Sequence, residues 1–134
     1  MSFAPFLTFD GTAEAAMRFY AGLFGAELTL MRFSDAPPGE GMPPSDRVMY
    51  SHIMLGEACL MAADVPEGAP CPPQASVSVN HAAADVETGR ALFARLAEGG
   101  TVTMPFGPTF WSPGFGICVD RFGTNWMIGV PAEG

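Results

Sequence analysis

Residues 3–25 read FAPFLTFDGTAEAAMRFYAGLFG, and two periodicities meet inside them. Phe3 to Phe9 is apolar and strand-like, and Asp10-Gly11 is a turn pair. From Thr12 onward, Ala15, Ala16, Phe19, Tyr20, Leu23 and Phe24 recur at the spacing of a helix that buries one face. Thr12 stands where an N-cap is needed, and Gly25 follows the last turn, where glycine takes the left-handed conformation that ends a helix. A second unit of this kind occupies residues 76–100, SVSVNHAAADVETGRALFARLAEGG. It predicts an alternating strand over Ser76 to Asn80 and a helix from about Asp85, its N-cap, to Glu98, ended by Gly99-Gly100. Leu92, Phe93, Leu96 and Ala97 are that helix's expected apolar face.

Three strand-like runs follow each unit. After the first come Glu27 to Phe33, Arg47 to Leu55 and Ala58 to Ala63, the last two forming a hairpin across Gly56-Glu57. After the second come Thr101 to Met104, Gly116 to Val119 and Asn125 to Val130. Ser34 to Asp46, with Pro37, Pro38, Pro43 and Pro44, is too proline-dense for regular structure, and Asp64 to Gln74 is a second Pro/Gly stretch. The order βαβββ therefore occurs twice, and each half leaves an apolar sheet face for the other to cover. The expectation is an α+β fold of two βαβββ modules in one domain spanning 1–134, with module 1 at about 1–64, a linker over 65–74 and module 2 at about 75–131, their curved mixed sheet enclosing a cup.

Composition excludes several function classes. A chain of 134 residues that is 49% hydrophobic buries enough surface to hold a core with neither disulfide nor structural metal. Fourteen acids oppose six bases, all arginine, for a net charge of -8. Without lysine there is no Schiff base, no phosphate-loop lysine and no Ser-Lys dyad, and the acidic balance disfavours nucleic acid and anionic lipid as partners. Met1 to Asp10 lacks the basic and long apolar regions of a signal peptide, and no apolar run has the length of a membrane span, so a soluble cytoplasmic protein is expected. Cys59, Cys71 and Cys118 are odd in number and widely spaced, as free thiols in a reducing compartment would be.

Several motifs carry a resemblance: Pro5-Phe6-Leu7 ahead of Asp10-Gly11, Phe19-Tyr20 with Phe24-Gly25, Leu60-Met61 with Asp64, and Gly99-Gly100 before Met104-Pro105. Phe110-Trp111 and Asp120-Arg121-Phe122-Gly123 with Trp126-Met127 complete the set. With these the chain resembles, over nearly its whole length, the vicinal oxygen chelate (glyoxalase/bleomycin resistance/dioxygenase) superfamily and its PhnB-like branch. The resemblance implies a homodimer and, in metal-using relatives, His and Glu ligands on the first and last strand of each module. The equivalent positions here are Pro5, Met61, Ser76 or Ser78, and Met127. None suits Fe, Mn, Ni or Zn, because proline offers no side-chain donor, a serine hydroxyl is weak and a thioether prefers soft Cu(I). No metal and no cofactor is expected. The methyltransferase label common in this branch finds no support, since no Gly-rich turn leads from a strand into a helix.

Tyr50 and His52 lie two apart on the third strand and face one way, which makes His52 a candidate general base and Tyr50 a candidate orienting group, against a plain packed pair. His81 reads as a turn or surface histidine, and Cys118 as core. Cys59 shares a face with Met61, where a nucleophile would need His52 as its base, and Cys71 falls in the exposed linker. Asp120-Arg121-Phe122-Gly123 is a tight turn whose aspartate accepts turn amides, and Trp111, on a Gly/Pro loop, is either a ligand lid or a dimer contact. Nine Met and eleven Phe supply an adaptable apolar wall. The leading expectation is a metal-independent binder of a small apolar or aromatic molecule, held by Pro5, Cys59, Met61, Ser78, Trp111 and Met127. Its rivals are a glyoxalase- or dioxygenase-type enzyme with a displaced site around His52, joined by an acid such as Glu57 of the partner subunit, and a structural dimer with no ligand.

Overall fold

Two helices of equal length each cover one small sheet. The computed structural model describes residues 3–37, 39 and 45–132, and the chain divides into two units at Pro72 and Pro73. The first contains β1 (Phe6–Phe9), α1 (Ala13–Phe24), β2 (Leu28–Arg32), a 3-10 turn (Phe33–Asp35), β3 (Val48–Leu55) and β4 (Ala58–Asp64). The second contains β5 (Val79–Ala82), α2 (Val86–Ala97), β6 (Thr101–Gly107), β7 (Phe115–Val119) and β8 (Asn125–Gly129). The strand orders are β1-β4-β3-β2 and β5-β8-β7-β6. In each unit the first strand runs parallel to the last and the other pairs are antiparallel. The doubled βαβββ order read from the sequence is thus present as two four-stranded mixed sheets with one helix apiece.

In the first unit, α1 buries Ala13, Ala16, Met17, Tyr20 and Ala21, and it meets β3, β2 and β4. The buried stripe is rotated from the expected one, with Met17 inside and Ala15 exposed. Alternation then puts Leu7, Phe9, Ser51, Ile53, Leu60 and Ala62 on the helix side of the sheet, all buried. Gly25 ends α1 at φ 67. Thr12 occupies the N-cap position but its hydroxyl makes no capping bond. Asp64, at the end of β4, does that work: its Oδ1 accepts from Gly11 N at 2.9 Å and Ala13 N at 3.0 Å, and its Oδ2 accepts from Val48 N at 3.0 Å.

In the second unit, Leu92, Phe93 and Leu96 of α2 pack with Trp126 and Ile128 of β8 and Cys118 of β7, all buried. Full burial of a Leu, Ile or Phe side chain contributes about 1.5–3 kcal/mol. Gly89 is buried because the Phe106 ring lies on it, and a Cβ there would come within 3.1 Å of that ring. Asp85 caps α2 as expected, accepting from Thr88 N at 2.8 Å. The fifth strand begins three residues later than expected. Ser76 takes a left-handed φ of 63, and ladder pairing with β8 starts at Val79, so Ser78 precedes the strand.

Candidate functional site

The face of the first sheet turned away from α1 gathers four of the candidate residues, Tyr50, His52, Cys59 and Met61. Register places His52 opposite Met61, and Met54 opposite Cys59. Tyr50 pairs with Met31 on the same face. Tyr50 Oη and His52 Nδ1 share a 2.8 Å hydrogen bond, and their rings lie 5.4 Å apart. With the imidazole proton on Nε2, the phenol donates into Nδ1 and leaves Nε2–H for a ligand. Tyr50, His52, Cys59 and Met61 are half-buried. Pro5 does not join them. It precedes β1, and its carbonyl accepts from Met61 N at 3.0 Å. The β1 side chains on this face are Phe6, paired with Met61, and Thr8, paired with Ala63. The sequence expectation was off by one residue, and a one-residue slip moves a side chain to the opposite face.

In the second unit the face away from α2 carries Asn80 and Met127, opposite one another, with Ile117 and Met104 alongside. Ser78 stands on the same alternation just ahead of β5. His81 falls on the other alternation, beside Ile128. It lies within β5 and is half-buried, where a turn or surface histidine was expected. Burial lowers its pKa, which keeps it neutral.

Trp111 sits on the β6–β7 loop. Its ring meets Phe110 edge-on at 4.8 Å and Phe115 at 5.4 Å, and two adjoining hollows share it as a wall. The smaller, about 320 Å³, reaches Asn80, Phe115 and Gly129. The larger, about 650 Å³, reaches Phe110, Asp85 and Val86. Both lie open toward solvent. Sequence reasoning singled out Trp111 from its loop but missed Phe115 and Ser112, whose placement depends on strand pairing that no local signal displays.

The two remaining cysteines and the acidic turn have structural settings. Cys118 is fully buried, and burial, aided by Asp120, pushes its thiol up to about 11, a poor nucleophile. Cys71 is half-buried, not exposed, with its Sγ 3.8 Å from Thr8 O. Asp120 Oδ1 accepts from Phe122 N at 2.8 Å and Thr124 N at 3.0 Å, and Oδ2 accepts from the Trp126 indole at 2.9 Å. That is the turn role expected of it. Among the described residues, no three His, Cys, Asp or Glu side chains are grouped to hold a metal ion, and no helix is long and apolar enough to cross a membrane.

Residues 2–128 match the family model of the Glyoxalase/Bleomycin resistance protein/Dioxygenase superfamily. The protein YjdN of Escherichia coli is 31% identical over 145 residues, covering 97% of this chain and 95% of its own length. The crystal structure of protein PA1353 from Pseudomonas aeruginosa aligns with a TM-score of 0.88 at 33% identity, over 98% of each chain. A PhnB protein from Bacillus cereus aligns with a TM-score of 0.75 at 28% identity, over 97% of this chain and 99% of that one.

Proposed function

The chain belongs to the glyoxalase/bleomycin resistance protein/dioxygenase superfamily, and we propose that it acts without a metal, as a homodimeric cytoplasmic protein that binds a small apolar or aromatic molecule. The observation that carries this reading is the chemistry of the two sheet faces turned away from the helices. They bear Phe6, Tyr50, Met54, Cys59 and Met61 in one unit and Met127 and Ile117 in the other. Such walls adapt to apolar shapes, and beside the imidazole of His52 they offer thioethers where hard or borderline metals need further imidazoles or carboxylates. In the second unit Ser78 and Trp111 join Met127 as proposed contacts, and in the first Phe6 takes the place first given to Pro5. Exposure of Phe3, Phe6, Met54 and Leu55 supports association with a second copy, and three free thiols fit a reducing compartment. Methyl transfer is not part of this reading. The strand–helix junctions are Asp10-Gly11-Thr12 and Ala83-Ala84-Asp85, neither of them a glycine-rich cradle.

A native mass spectrum of the purified protein tests the proposal. The expected species has twice the chain mass, no metal, and either a carried organic molecule or stoichiometric uptake of an aromatic probe. A metal-bearing dimer would overturn it. Met61→Glu and Met127→Glu should weaken uptake, because each puts an unpartnered carboxylate into an apolar wall.

The Tyr50–His52 hydrogen bond favours a second reading, an enzyme whose acid–base or metal chemistry centres on His52. It requires His52→Ala to abolish turnover or metal uptake while fold and dimer persist.

A further inference from the structure

The two hollows around Trp111 differ in character from the methionine-rich sheet faces. We propose that they form a binding site for a planar aromatic molecule carrying a positive charge, stacked against Trp111 and Phe115 with its charge toward Asp85. This goes beyond the small-molecule reading above, with which it shares Trp111, and assigns the hollows a ligand of their own with a stated charge.

Three observations carry it. The first is that the exposed rings stand on a braced loop. Phe110 is 98% exposed and Trp111 47% exposed, a costly display for large apolar rings. The loop beneath them is nevertheless tied down. The buried Ser112 hydroxyl lies 2.7 Å from Gly114 O and 2.6 Å from Val130 O and accepts from Gly114 N at 3.1 Å. Ser112 N donates to Thr109 Oγ1 at 3.1 Å, and Thr109 N donates to Ser112 O at 2.9 Å. Rings held out in this way lose little further freedom on binding.

The second is the floor. Phe115 pairs with Gly129 across β7 and β8, and a Cβ at 129 would come within 3.2 Å of the Phe115 ring. Glycine there lets the ring settle close to the strand, edge-on to Trp111. Asn80, exposed beside this floor, makes no side-chain bond among the described residues and offers an amide donor and acceptor to the edge of a flat ligand.

The third is charge. Among the described residues, the titratable side chains lining the hollows are Asp85 and His81, and no arginine lines either. Asp85 is held below the ordinary carboxylate range by the Thr88 amide, and burial keeps His81 neutral. Among the described residues the charged lining side chain is therefore Asp85, partly offset by the N-terminus of α2 that it caps, and the faces of Trp111 and Phe115 attract cations through their ring quadrupoles.

Titrating the whole protein with naphthylmethylammonium, and separately with naphthoate, tests the assignment, because the two share a ring and differ in charge. The chain has two indoles. Trp126 Nε1–H is locked onto Asp120, so its proton–nitrogen NMR signal serves as an internal reference for that of Trp111. The cation should move the Trp111 signal and leave Trp126 in place, while naphthoate moves neither. Trp111→Ala should weaken the cation's affinity about tenfold. Asp85→Asn, which preserves a capping acceptor, should shrink the preference for the cation severalfold. Equal response of Trp111 to both probes overturns the proposal. So does a probe that shifts the methionine methyl signals but not Trp111, an outcome that leaves the small-molecule reading standing. If no signal of either kind moves, both fall.

Discussion

Asp64 and Asp120 are each buried in one half of a duplicated fold, and they do opposite kinds of work. Asp64 reaches across the first unit: its two oxygens bind the start of α1, 51 and 53 residues away, and the start of β3, 16 residues away. Asp120 binds its own turn, two, four and six residues ahead. The contrast extends to their neighbours. Arg32 reaches Glu14 and Arg47 reaches Asp10 in the first unit, whereas Asp85 and Thr109 in the second bond three residues onward. Two units with the same strand order are thus fastened differently, one by carboxylates that join distant segments and one chiefly by turns that close on themselves.

Replacing each aspartate measures the difference. Asp64→Ala should cost about 4 kcal/mol in a denaturant titration, because three backbone N–H groups lose their acceptor and α1 loses a negative charge at its N-terminus. Asp120→Ala should cost less, about 3 kcal/mol, and should also move the Trp126 indole NMR signal as its partner disappears. An Asp120→Ala cost equal to or above that of Asp64→Ala would erase the distinction between long-range and local fastening.

Ser112 sharpens the comparison as a further device of the second unit, closing on Gly114 but also reaching Val130. Ser112→Ala should cost about 1–2 kcal/mol and broaden the NMR signals of residues 108–113, while the signals of the first unit stay unchanged.

The smallest equilibrium effect belongs to the first unit and depends on pH. Hydrogen bonds from Arg32, then Arg18, hold the Glu14 carboxyl at about 2, below its ordinary 4.5. A depressed carboxylate contributes stability that is fully present above the unfolded value and is lost as pH falls toward the folded one. The urea midpoint should therefore decline as pH drops from about 5 to about 2.5, and Glu14→Gln should make that decline shallower. The effect is small because the pair is solvent-screened.

Local fastening is also what made parts of the fold legible. The Asp85 cap, the Gly56-Glu57 hairpin and the Asp120 turn are each written within a few residues, and all three stand where the sequence placed them. Asp64 was visible only as part of a motif, because its partners lie up to 53 residues away. The start of β5 was misplaced because Ser76 to Asn80 alternates like a strand, while the ladder to β8 begins only at Val79. At the site, the shared face of Tyr50 and His52 followed from simple alternation. Pro5 did not, because a parallel edge strand gives no local mark of where its pairing starts. Of the proline-rich loop Ser34 to Asp46, residues 38 and 40–44 lie outside the described residues.

The parallel pairing of β1 with β4 has a consequence for the order of assembly. Phe6 pairs with Met61, so during synthesis the first strand leaves the ribosome long before its partner exists, while β3 and β4 close across a two-residue turn as soon as both emerge. The unit's nucleus should then form around the hairpin, with β1 docking late. Leu7→Ala should accelerate unfolding and leave the folding rate nearly unchanged, whereas Ile53→Ala should slow folding. Until β4 appears, Phe6, Leu7 and Phe9 travel as unpaired apolar chain, and this interval is when the nascent protein is most open to aggregation or to capture by a chaperone.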